Sequence, residues 1–475
     1  MRLSALSASV LIALCLLASL AGAQPGAPAR SGLSGFSTAV FLGPGDDSDS
    51  HAARAMKRIR EAGAKAVRLM IPWSKTAPFR RPAGFRADDP ADPAYNWSRA
   101  DKLISLAQEN GLEPLVTTVR APKWAGGLRV NAHQYGLFAK AIAQRYSGSF
   151  QDLPRVRYWI VWNEPNLAKY LAPQYSRGKL VSVARYRNMV NAFASSVRAV
   201  HRDNVVVAGI TAPVRAAHAV GAFKFMRAVL CMSGAKRPKP TCRNKVSFDD
   251  WSVHPYTSGS PLHRAHGTDG VQLGDLPKVN RVLRAAVRAK HVRHVHRVNL
   301  WITEFSWDSR PPDPGGVRPR LLARWTAEAL YRAKRAGVRV FTWFLVQDEP
   351  ERTSPFQSGL YYRRGGYATR PKLVLQAFRF PFVALKQRRH VVVWGRTPAG
   401  DRRNVAVQRL VRGHWRRVAM IRSKPGGIFG RTLKMPRAKS SWRLRARLAG
   451  SKTHSLSFSL QKTPDRPLAS AFGLK

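Results

Sequence analysis

Between residues 37 and 344 the chain repeats one pattern: a short apolar run, a longer amphipathic stretch, then the next apolar run. The apolar runs fall near residues 37–42, 66–71, 113–119, 158–162, 205–210, 249–254, 299–303 and 338–344. They are continuously hydrophobic rather than alternating, as expected of parallel strands buried on both faces. The amphipathic stretches include residues 51–62, 98–110, 132–146, 184–201, 279–290 and 318–336. Gly63, Gly111 and Gly337 each follow such a stretch just before the next apolar run, where a helix ends in a left-handed residue. Eight strands alternating with helices predict an α/β fold, a (β/α)8 barrel, over residues 35–382. A doubly wound open sheet is the alternative, but no Gly-rich phosphate loop follows the first strand.

Two of these runs end in a carboxylate: Tyr158-Trp159-Ile160-Val161-Trp162-Asn163-Glu164-Pro165 and Trp301-Ile302-Thr303-Glu304-Phe305. The C-terminal ends of barrel strands are where such folds build their active sites. A single strand-end glutamate is ordinarily solvated or ion-paired. Two in this context suit glycoside hydrolysis, which needs one carboxylic acid and one carboxylate flanking the scissile bond.

The Asn163-Glu164-Pro165 triplet after an aromatic strand, followed much later by Thr303-Glu304-Phe305, resembles glycoside hydrolase clan A. That clan comprises retaining (β/α)8 enzymes, including family 5 cellulase-like and family 39 glycosidases. The resemblance implies that Glu164, ending strand four, is the general acid/base and that Glu304, ending strand seven, is the nucleophile. It further implies that Arg68 and Tyr256 keep Glu304 ionised, with His254 a further site residue, and that Asn163 binds a sugar 2-hydroxyl. Trp343 corresponds to the aromatic floor under the reacting sugar, and Trp73 and Trp124 to further stacking platforms or, equally, to packing under loops. No cation stands close to Glu164 in sequence. The loop after strand six (residues 257–278) and Gln347-Asp348-Glu349 after strand eight are expected to shape the substrate subsites. A retaining mechanism then requires carboxyl groups only about 5–5.5 Å apart. The implied activity is hydrolysis of β-glycosidic bonds in a poly- or oligosaccharide, with no cofactor and no metal. A non-catalytic carbohydrate-binding or wall-associated protein on the same fold is the alternative.

Near residue 382 the pattern changes to short β-rich runs separated by turn clusters such as Thr397-Pro398-Ala399-Gly400-Asp401 and Lys424-Pro425-Gly426-Gly427. This predicts a small antiparallel, Ig-like β-sandwich over residues 383–462, with a tail at 463–475. Arg443, Arg445 and Arg447 alternate as a solvated strand face would. Residues 383–475 hold 23 Lys/Arg against two acids, Asp401 and Asp465.

Residues 1–23 read as a secretory signal peptide and 24–34 as a Pro/Gly-rich linker, which predicts a secreted, extracellular chain with no membrane span. Cys231 and Cys242, close in sequence, are expected to form a disulfide in an oxidising compartment. The net charge of +55 is spread over every element and does not interleave with aromatics, which argues against specific nucleic-acid binding. A coding bias and adhesion to an anionic cell-surface polymer explain it best, with a negatively charged substrate third. His291, His294 and His296 precede the seventh strand, at the end of the barrel away from the carboxylates, and read as a solvated basic turn rather than a metal site. The expected partner is a carbohydrate, and the expected state a monomer.

Overall fold

The computed structural model describes residues 32–33, 35–43, 49–213, 219–350, 356–363 and 370–462. The expected signal peptide, most of the linker and the tail lie outside them. Eight parallel strands close into a barrel: β1 (Ser37–Phe41), β2 (Ala66–Pro72), β3 (Glu113–Val119), β4 (Tyr158–Val161), β5 (Val205–Thr211), β6 (Asp250–Val253), β7 (Asn299–Phe305) and β8 (Val338–Trp343). Neighbours follow chain order, and β8 returns to pair with β1 through Ser37↔Val340 to Val40↔Trp343. Around them lie α1 (Asp49–Glu61), α2 (Ser98–Glu109), α3 (Ala132–Arg145), α4 (Ser182–Val200), α5 (Ala222–Val229), α6 (Leu276–Arg288), α7 (Pro319–Arg335) and α8 (Leu373–Arg379). Helices α5 and α8 are too short to give a clear periodic signal in sequence.

The barrel forms because its strands are apolar on both faces. One face packs inward against Ala39, Leu115, Ile160, Val207 and Trp301, and the other packs outward against the helices. Gly63, Gly111 and Gly337 adopt φ of 76°, 68° and 80°, so each helix reverses into its strand through a conformation that would strain an L side chain.

The antiparallel strands that follow form a sandwich of two sheets. One contains β9 (Phe382–Gln387), β10 (His390–Arg396) and β13 (Ile428–Lys434). The other contains β11 (Asn404–Val411), β12 (His414–Arg422), β14 (Arg443–Leu448) and β15 (Phe458–Ser459). Along β14 the buried Leu444, Ala446 and Leu448 alternate with Arg443, Arg445 and Arg447, which stay at or near the surface. The guanidinium of Arg445 lies 4.2 Å from the centre of the Trp415 ring and that of Arg409 3.9 Å from Trp442, so aromatic faces accept part of this charge.

The sandwich is seated on the barrel away from the strand ends that carry Glu164. Trp394 packs against Phe36 and Tyr331, Arg396 Nη2 donates to the Gly63 carbonyl at 3.0 Å, and Arg324 of α7 reaches the Ser459 carbonyl. Cys231 and Cys242 form a disulfide with Cα atoms 5.1 Å apart, closing the hairpin Met232–Ser233/Lys239–Pro240. His291 is a core residue whose Nδ1 lies 2.9 Å from the Leu230 carbonyl oxygen, while His294 and His296 are exposed. No helix among the described residues is long and apolar enough to cross a membrane.

Because Trp394 belongs to the barrel's apolar cluster, Trp394→Ala is expected to lower the stability of the whole chain, at a cost of about 3 kcal/mol. Urea unfolding followed by tryptophan fluorescence and far-UV circular dichroism should show one cooperative transition moved to lower denaturant. A barrel transition left in place would mean that the two parts fold independently.

Candidate active site

Glu164 and Glu304 reach the same point at the C-terminal mouth of the barrel by different routes. Glu304 is the penultimate residue of β7, so its place follows from strand register. Glu164 lies beyond the end of β4 in a segment where Trp162 and Glu164 have φ of 70° and 41°. The Glu164 N–H donates to the Ile210 carbonyl at 3.0 Å, and Ile210 is itself at φ 49°. Left-handed conformations of non-glycine residues cost about 1–3 kcal/mol each and persist only where the surroundings impose them. Here Trp162 is buried, its indole donating to the Tyr170 carbonyl at 3.0 Å.

The fully buried Arg68, pointing inward from β2, organises the floor. Its Nη1 donates to Glu304 Oε1 at 2.5 Å and to the Thr303 carbonyl at 3.3 Å. Its Nη2 donates to Asn163 Oδ1 at 2.8 Å, and its Nε to Thr117 Oγ1 at 3.0 Å. Tyr256 donates to Glu304 Oε2 at 3.1 Å. His254 stands between the two carboxylates, with Nδ1 3.1 Å from Glu164 Oε1 and 3.5 Å from Glu304 Oε2. Its Nε2 lies 3.0 Å from Thr303 Oγ1, which in turn shares a hydrogen bond with Ser252.

Burial opposes ionisation of Glu304. The field of His254, then that of Arg68, and the hydrogen bonds from Arg68 and Tyr256 outweigh burial and hold the carboxyl below its ordinary value. Burial first, then the charges of Glu304 and Glu164, raises the Tyr256 phenol well above its usual range and keeps it a donor. Among the described residues, Glu164, His254 and Glu304 are the group of donors close enough to share a metal ion. The Arg68 guanidinium already occupies a Glu304 oxygen, so this donor set suits a charged hydrogen-bond network better than a cation.

The cleft above this floor has a volume of about 1430 Å³ and is lined from the C-terminal ends of all eight strands. Phe41 and Phe344 stack in it with ring centres 4.9 Å apart, flanked by Tyr256 and Phe356. Seven of the sequence-predicted residues divide by position: Arg68, Asn163, His254 and Tyr256 meet at Glu164 and Glu304, whereas the three tryptophans do not.

Trp343 is a correction. It is fully buried, turned outward toward Phe378 of α8, with its indole donating to the Ser358 carbonyl at 2.8 Å. Strand register decides this, because adjacent residues face opposite sides, and it is the neighbouring Phe344 that lines the cleft. Trp73 is fully buried and stacks on Phe138. Trp124 packs on Trp73 and donates to the Pro78 carbonyl at 2.8 Å. Both support loops rather than facing the cleft. The long loop after β6 closes on itself through Thr257–Gln272 and Ala265–Asp275 hydrogen bonds, and beyond Tyr256 none of its described residues lines the cleft. Glu349 does line it.

Sequence reasoning missed Lys169, whose Nζ turns back to 3.9 Å from Glu164 Oε2, so Glu164 does have a nearby cation. It also missed Tyr170, whose phenol is raised by burial and then by the charges of Glu164 and Glu304, and the supporting Thr117, Ser252 and Thr303. Those three carried a signal: each is a hydroxyl residue within a predicted barrel strand. Asp308 was missed too. Its carboxyl lines the cleft and is lifted by burial to about 7, although it accepts the Gln357 N–H at 2.7 Å.

No family model matches the sequence, and no curated protein matches it. In fold the chain is similar to a family 39 glycoside hydrolase from the gut symbiont Bacteroides cellulosilyticus WH2, with a TM-score of 0.54 and 16% identity over 84% of this chain and 79% of that one. It also aligns with a glucosidase from Croceicoccus marinus, with a TM-score of 0.48 and 14% identity over 85% and 93% of the two chains. At such identities the likeness bears on the fold.

A carboxyl whose folded-state pKa is lowered stabilises the fold above its unfolded pKa, and this contribution is lost as pH falls through the folded value. Wild type should therefore lose stability on acidification relative to Glu304→Gln, the change falling below the ordinary carboxylate range. Urea unfolding of both proteins across a pH series measures it. A pH-independent difference would mean that the surrounding cations do not hold Glu304 ionised.

Proposed function

We propose that the chain is a secreted retaining β-glycosidase, with Glu304 as nucleophile and Glu164 as general acid/base. The observation that carries this reading is the geometry of the carboxylates. One oxygen of each, with a His254 nitrogen, lies within 4.8 Å of the others. That closeness suits direct attack on the sugar, for which the carboxyl groups stand about 5–5.5 Å apart, rather than the roughly 6.5–9.5 Å of an inverting site.

In the first step a Glu304 oxygen bonds to the anomeric carbon while the bond to the leaving oxygen breaks, and Glu164 gives that oxygen its proton. In the second, Glu164 takes a proton from water, the water oxygen bonds to the anomeric carbon, and Glu304 departs as carboxylate. Arg68 and Tyr256 stabilise the departing charge. Asn163, fixed by Arg68 and lining the cleft, is placed for a sugar hydroxyl. Phe344 and Phe41 offer the apolar face on which a sugar ring can rest.

The signal-like N terminus and the Cys231–Cys242 disulfide support export. The sandwich is an accessory module, dispensable for chemistry and suited by its charge to anionic cell-surface polymer, and the protein acts as a monomer.

Glu304→Ala should abolish turnover of aryl glycosides. Glu164→Ala should retain activity on substrates with good leaving groups, since the acid is needed chiefly to protonate poor ones. With azide this second variant should yield a glycosyl azide of retained β-configuration, identified by NMR, and the swapped pattern would reverse the two roles. Active variants lacking residues 383–475 should keep their turnover of small substrates per folded molecule. Loss of that activity from a well-folded barrel would give the sandwich a part in the cleft.

A further inference from the structure

Among the described residues, the walls of the cleft are sorted by charge. The loops after β2, β3 and β4 bring Lys75, Arg120 and Lys169 to one wall, and those after β7 and β8 bring Asp308, Asp313 and Glu349 to the other. In a chain with 81 Lys/Arg and 26 Asp/Glu, cations on a rim are expected, but a wall of acids opposite them is not. Lys75 and Arg120 are without an ion-pair partner among the described residues, and the carboxylate beside Lys169 is Glu164 itself. The two loops are tied together where the Ser74 N–H donates to the Arg120 carbonyl at 2.8 Å, with Arg120 held at φ 58°. The first turn of α2 adds Arg99 to the same wall.

We propose that this wall binds acidic groups of the substrate, so that the glycan is anionic and carries carboxylates or sulfate esters on sugars lying along the Glu164 side of the cleft. The inference deepens the glycosidase reading and rests on it. Lysine and arginine only donate hydrogen bonds, and a guanidinium fits a carboxylate or sulfate through two parallel bonds. Like charges crowded on one wall repel one another, and an anion relieves that repulsion. Asp313 and Glu349 on the opposite wall repel the same groups and so fix which way the chain lies. The cleft exceeds the roughly 300–1,000 Å³ of pockets for drug-sized ligands, which leaves space for more than one sugar ring.

The test uses the full chain with short oligouronates and sulfated oligosaccharides, each beside its carboxyl-reduced or desulfated counterpart, at moderate salt to suppress non-specific attraction. Binding is measured by calorimetry on Glu304→Gln, and hydrolysis on the wild type. Saturable binding of one acidic oligosaccharide and not of its neutral counterpart is expected, with the uronate and sulfate arms identifying the acidic group. Lys75→Gln and Arg120→Gln should each weaken that binding about tenfold or more and raise KM with kcat little changed. Arg293→Gln/Arg297→Gln, on the turn before β7, should leave both unaltered. Hydrolysis of neutral oligosaccharides that is indifferent to Lys75→Gln and Arg120→Gln would overturn the inference and leave the glycosidase reading standing. Acidic binding lost in both variants but without hydrolysis of any substrate would keep the anionic site and overturn the glycosidase reading. Neither binding nor hydrolysis would overturn both.

Discussion

The floor of the cleft is built around a guanidinium with no access to water. Placing Arg68 inside the barrel costs several kcal/mol of lost hydration, which only close partners can offset. Its hydrogen bonds reach Thr117 on β3, Asn163 after β4, and Thr303 and Glu304 on β7. One side chain thereby ties together three strands, Glu304 and the residue before Glu164. Replacing it by an apolar residue would leave the carboxylate buried against a weaker set of donors. The barrel can carry this polar centre because the layers beneath it are apolar and closely packed.

His254 extends the same logic to the second carboxylate. It touches both glutamates and is itself backed by Thr303 and Ser252, so the two carboxyl groups share one hydrogen-bonded frame. Small polar side chains within the upper strands build that frame, and the aromatic surface of the cleft comes from residues at or just beyond the strand ends.

Much of this was legible in sequence because burial on both faces leaves a strong mark on parallel strands. All eight barrel strands lie where the apolar runs place them, within two residues at each end. The residues that meet at the floor, Arg68, Asn163, Glu164, His254, Tyr256 and Glu304, were also readable, since each stands on or next to such a run. What failed was anything decided by the direction of one side chain or by the path of a loop. Trp343 and Phe344 are adjacent and both aromatic, and only the register of β8 against β1 and β7 tells which faces the cleft. Lys169 approaches Glu164 because the chain turns back after Pro165, and Asp308 gains most of its setting from Gln357, Asp348 and Lys372, distant in sequence. No local pattern encodes either.

The left-handed backbone at Trp162 and Glu164 has a further consequence. The free energy held there is spent on aiming one carboxylate, so the segment is a place where stability and chemistry draw on opposite preferences. A glycine at 164 would relax the main chain and remove the carboxyl group in the same change. In the glycosidase proposed above, such a change would exchange turnover for a sturdier barrel on an almost unchanged scaffold.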